Sequence, residues 1–159
     1  MALSLGFTSP TDLLGKAERD LSELEGAIAA QEEGRIGDVL YNFSASVTSI
    51  KDWLKAHPSG SFTDAEVEAL VSASTALSSF RDIANANKHR YITRYRPSTS
   101  ETKLSAMPSY NVETPSSVSG VKKSFRVKII RTDGARLEAS ALARRAVEEW
   151  RAVMIKHGI

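Results

Sequence analysis

The sequence contains no cysteine. That excludes disulfide scaffolds, thiolate nucleophiles, cysteine zinc sites and iron–sulfur clusters, and it suits a reducing compartment. Histidine is scarce. His57, His89 and His157 are scattered without HExxH-like spacing, so neither a metal site nor a cofactor is expected. The GxxxxGK[ST], GxGxxG and GxSxG patterns are missing, which removes the recognisable phosphate-cradling loops and the nucleophile elbow. No apolar run approaches the roughly 20 residues that a membrane-spanning helix needs. Met1–Pro10 lacks the basic and long apolar regions of a secretory signal. The expectation is a cytoplasmic protein with no membrane partner.

What is present fits one soluble domain. The chain has 159 residues, 42% hydrophobic and 25% charged, enough apolar material for a single core over 1–159. The net charge of +2 hides a division. Residues 1–80 carry five Lys/Arg against twelve Asp/Glu, a net of −7. Residues 81–159 carry sixteen against seven, a net of +9. Two basic clusters dominate that half: Arg81, Lys88, Arg90, Arg94 and Arg96, then Lys122, Lys123, Arg126, Lys128 and Arg131. Such clusters attract phosphates. Equally, the basic half can pack on the acidic half, within one chain or across a dimer.

Hydrophobic periodicity gives a mainly α fold. Ser9, Pro10 and Asp12 form a helix start with a capping box. Leu13, Leu14, Ala17, Leu21, Leu24, Ala27 and Ile28 then share one helical face, and Gly34 is the expected stop. A second helix is expected from about Arg35 to Ala56, ended by Pro58-Ser59-Gly60. Thr63 and Glu66 cap a third, which is expected to run unbroken to His89 or Tyr91 with Val67, Leu70, Val71, Ser74, Leu77 and Ala84 inward. Residues 94–120 are rich in Ser, Thr and Pro and read as a long loop with a short strand near Tyr110–Val112. A β-hairpin over about 122–138 turns at Asp133-Gly134. A last helix runs from about Ser140 to His157. The architecture predicted is an up-down bundle of about four helices with the hairpin inserted before the last. Trp53 and Trp150 both lie on apolar faces and are expected in the core.

The segment Phe80-Arg-Asp-Ile-Ala-Asn-Ala-Asn-Lys-His-Arg-Tyr91 carries the chemistry. With Leu70 set at zero on an unbroken helix, Lys88 falls near about 0°, Arg81 near about 20°, Asn85 near about 60° and His89 near about 100°. The inward stripe therefore turns polar and cationic after Leu77. Polar groups aimed at a bundle need partners, so the cluster is a buried network, a dimer seam or a site. As a network, Arg81 and Lys88 would pair with acids of the first two helices, such as Asp38 or Asp52. As a site, Arg81 would hold a phosphate with its planar fork. His89 would be general base or acid toward a ribose 2′-hydroxyl. Asn85 and Lys88 would stabilise developing charge, and Asp52 would set the imidazole tautomer. Arg90 and Arg94 would add backbone contacts.

Arg81 and His89, with polar Asp82 after the arginine, resemble the Arg-plus-His signature of the HEPN family. Here seven residues lie between them, a longer gap than the family pattern has. The resemblance implies a helical bundle, often a homodimer, and a metal-independent ribonuclease of a toxin or phage-defence system, with Arg81 and His89 as its catalytic pair. Asp52-Trp-Leu54 followed by Asp82-x-x-Asn-x-x-Lys-His89 is also similar to a broad group of uncharacterised bacterial and phage proteins, a closer likeness that implies no activity. Two other functions stay open. One is a non-catalytic module for homodimerisation or protein binding, and the other is an architectural nucleic-acid binder.

Overall fold

The computed structural model describes residues 6–58, 62–88, 99–109 and 122–159; for 87–88, 100–109 and 122–125 only the backbone is described. In chain order the elements are α1 (Pro10–Ala29), α2 (Glu33–Lys55), α3 (Asp64–Ala73), α4 (Thr75–Lys88), β1 (Thr99–Ser109), β2 (Lys122–Arg131), β3 (Arg136–Glu138) and α5 (Ala139–His157). The fold is mainly α, with a hairpin before the last helix, as the periodicity predicts.

α1 starts where the capping residues place it. The Asp12 amide donates to Ser9 Oγ, and Asp12 Oδ2 accepts from the amides of Ser9, at 2.9 Å, and Thr8, at 2.8 Å. Those bonds hold the Asp12 carboxyl below its ordinary value of 3.8, the Thr8 amide contributing most. The stop is not at Gly34. α1 ends at Ala29, Gln31 takes the left-handed conformation with φ of 59°, and Gly34 sits in the first turn of α2. The reversal needs its left-handed residue directly after the helix. Gln31 adopts it at a cost of about 1 kcal/mol, with its side-chain amide donating to the Ile28 carbonyl. α2 then folds back on α1, setting Leu13, Ala17, Leu24 and Ala27 against Val39, Phe43, Val47 and Ile50 in one core.

The third helix is two. Thr63 and Glu66 cap α3 as expected, but Ser74 is extended, with ψ of 125°, and interrupts the helix. Its hydroxyl accepts the Leu77 amide at 3.0 Å, the N-cap arrangement, and donates to Glu149 of α5. A serine read as a core position is thus a helix start, and the described residues form five helices. The break resets the rotation of everything after it. α4 is buried over an unbroken run from Ala76 to Ala84, not along one stripe. A helix buried all round lies in the centre of its fold.

The sheet has the order β1-β2-β3, antiparallel throughout. The β2–β3 hairpin forms at the predicted turn, where Gly134 has φ of 86° and Asp133 Oδ1 accepts the Ala135 amide. β1 lies inside the stretch read as a loop. Its polar composition hides it, because the ladder to β2 supplies the order that an apolar alternation would otherwise signal. Tyr110–Val112 lie outside the described residues. Val127 and Ile129 point from β2 into the core. α5 closes the bundle with Leu142, Ala146, Trp150 and Met154, and the Trp150 indole donates to the Val47 carbonyl at 3.0 Å. Arg151 meets Glu18 at 2.6 Å and Arg144 meets Glu25 at 2.5 Å, so the basic half does pack on the acidic half here.

Candidate functional site

α4 places the predicted site. Phe80 packs edge-on against Phe43 of α2, with ring centroids 4.8 Å apart, and fixes the rotation of the helix. Arg81 and Asp82 follow directly and are both buried, at 9% and 2% exposure. Arg81 Nε and Nη2 donate to Asp82 Oδ1 at 3.3 and 3.2 Å, and Nη1 donates to Ser72 of α3 at 3.1 Å. The second Asp82 oxygen accepts the backbone amide of Thr99, the first residue of β1, at 2.9 Å. One carboxylate thus ties α4, through Arg81, to α3 and also to the sheet. The expected partners of Arg81, Asp38 and Asp52, are not its partners; both are exposed. Neighbours on a helix diverge by about 100°, but an arginine is long enough to fold back over that angle.

The remaining site residues separate. Asn85 is half-buried on the next turn of α4 and makes interactions of its own. Lys88 ends the helix, and only its backbone is described. His89, Arg90 and Arg94 lie outside the described residues. Asp52 lies on an exposed turn of α2 and lines a cavity of about 370 Å³ with Thr8, Pro10, Trp53 and His57, a cavity in whose walls neither Arg81 nor Asn85 takes part. Trp53, expected in the core, is only half-buried there, whereas Trp150 is fully buried. Trp53 packs against the core from the margin of the inward face of α2, about 100° round the helix from fully buried Leu54.

The basic clusters are partly internal. Arg131 turns inward to Ser79 Oγ, at 3.0 Å, and the Thr75 carbonyl, at 3.3 Å. On β2 and β3, Arg126 and Arg136 are exposed and Lys128 half-buried, all on the face opposite Val127 and Ile129, with Glu138 among them 3.8 Å from Arg126. Among the described residues no cluster of His, Asp and Glu could hold a metal ion, and no helix is long and apolar enough to cross a membrane.

Sequence reasoning treated Asp82 as a polar neighbour and missed it as the hub. The signal was there: an acid next to an arginine inside an apolar run. The Trp53 cavity gave no signal, because its walls come from two distant segments. No protein-family model, curated protein or solved structure matches the chain.

Proposed function

We propose that the protein is a non-catalytic interaction module, with a second copy of the chain as its expected partner. One observation carries this reading. The Arg81 guanidinium already holds a carboxylate and a hydroxyl in a buried setting, so a phosphate would have to displace Asp82 from it. The sheet is the element available for contact. Among the described residues β1 is a long strand at the sheet's edge, and such edges invite pairing with another chain.

RNA contact is the second reading, favoured by the exposed Arg126 and Arg136 on one sheet face. A HEPN-like ribonuclease is the form of it that requires Arg81 to leave Asp82 and meet His89.

Labelled single-stranded RNA incubated with the protein in EDTA separates these. The expected result is no cleavage, together with a concentration-dependent dimer in sedimentation velocity. Cleavage by the wild type that is lost in both Arg81→Ala and His89→Ala would overturn the proposal for the ribonuclease. Binding without cleavage, weakening steeply with salt and lost in Arg126→Glu/Arg136→Glu, would replace it with RNA contact, because phosphate contacts release counterions.

A further inference from the structure

The cavity between the start of α1 and the end of α2 lies apart from the Arg81–Asp82 hub. Its volume of about 370 Å³ falls within the range of small-molecule sites, roughly 300–1,000 Å³. Pro10, Trp53, Ala56 and Pro58 give it apolar walls. Three features of those walls select charge of one sign. Asp52 puts a carboxylate at the cavity, and that carboxylate forms no hydrogen bond or ion pair among the described residues. The carbonyl end of α2 closes at Ala56 and carries partial negative charge. The Trp53 indole presents the ring that attracts cations best.

Two of the charges that would oppose a cation are engaged elsewhere, and His57 is the one basic side chain among the described residues of the cavity wall itself. Lys55 and Lys51, flanking Asp52 on α2, both donate to Glu68 of α3, at 2.6 and 2.9 Å. Salt-bridging to Glu68 holds the Lys55 ammonium above its ordinary value of 10.5, with the Asp52 charge adding a smaller push in the same direction. The positive end of α1 is closed by its own carboxylate, since Asp12 takes the amides of Thr8 and Ser9 and the Thr8 hydroxyl. An apolar recess with an acid, a helix carbonyl end and an indole fits an ammonium group on an apolar body.

We propose that this cavity binds a small organic cation, an aryl-alkyl ammonium or one of similar shape, with Asp52 facing the charge and Trp53 the body. The proposal is independent of the interaction-module reading. Phenethylammonium is the probe, and 2-phenylethanol is its neutral counterpart of nearly equal shape. Each is titrated into the full chain while ¹H–¹⁵N cross-peaks are followed, with the buried Trp150 indole as an internal control for the Trp53 indole. The expected result is saturable movement of Trp53, Ala56 and His57, with Trp150 still and a Kd of about 1 mM or tighter. The alcohol should bind about tenfold more weakly. Asp52→Asn should weaken the amine about tenfold, leave the alcohol unchanged, and keep the wild-type Tm because the carboxylate is exposed. Equal binding of amine and alcohol, an Asp52→Asn variant that binds the amine like the wild type, or no saturation up to about 10 mM would each overturn the proposal.

Discussion

The α1–α2 pair and α4 bury helix in different ways. In α1–α2 one stripe of each helix is apolar and the opposite face is wet, and the few buried polar groups, Asp20, Ser44 and Ser46, lie between the two, with Ser46 donating to Asp20. Lys16 reaches Asp20 at 2.7 Å and Ser46 at 2.9 Å while keeping about a third of its side chain exposed. In α4 no face is wet between Ala76 and Ala84, so Ser78, Ser79, Arg81 and Asp82 are buried with the apolar residues. Each of those four must therefore find its partner inside the protein, and removing one partner strands another. A polar residue in a helix reads as surface only when the helix has a surface.

The largest effect is expected of Asp82→Ala. It leaves the Arg81 guanidinium buried without its carboxylate and the Thr99 amide without its acceptor, so urea unfolding should show a loss of about 3–5 kcal/mol. Replacing both members, as Arg81→Met/Asp82→Leu, should recover part of that loss, because the guanidinium is removed together with the carboxylate it pairs with. If Asp82→Ala were instead within about 1 kcal/mol of the wild type, the pair would not be structural and Arg81 would again be open to a phosphate.

A smaller effect separates the two tryptophans. Trp150→Phe removes the bond to the Val47 carbonyl and leaves a gap in the core, and should cost about 1–3 kcal/mol by thermal or urea unfolding. Trp53→Phe, at the half-buried cavity wall, should cost less than about 1 kcal/mol. Equal losses would place Trp53 in the core after all.

Smaller still is Ser74→Ala, which deletes the cap between α3 and α4 and should cost about 1 kcal/mol. Ser9→Ala at α1 is the matching control. A Ser74→Ala loss far above that of Ser9→Ala would assign the excess to the bond to Glu149.

The slightest effect is a pH slope. Glu66 accepts from the Thr63 amide at 2.7 Å and, like Asp12, is held below its ordinary value, here 4.5, chiefly by that backbone bond. The unfolded chain therefore takes up these protons first as the pH falls. The stabilisation is complete above 4.5 for Glu66 and above 3.8 for Asp12, and it drains away as the pH drops through the lowered values. Asp12→Asn/Glu66→Gln should unfold with a shallower loss of stability in acid than the wild type. Equal slopes would mean that other carboxylates set the acid limit.

The features legible from residue order alone are local. Ser9 with Asp12, Thr63 with Glu66, and Asp133 with Gly134 act through bonds to residues a few positions away, so their geometry is written in short spacings. The apolar stripes of α1, α2 and α5 were legible for the same reason, since a helix with one wet face displays its period. Tertiary structure decided the rest. The Arg81–Asp82 hub needs a break at Ser74, a sheet strand at Thr99 and burial on every side, none of which has a period to read. The Asp52 and Trp53 cavity exists only because two segments more than forty positions apart meet there. Contacts over that range are set by packing, and packing depends on the whole chain at once.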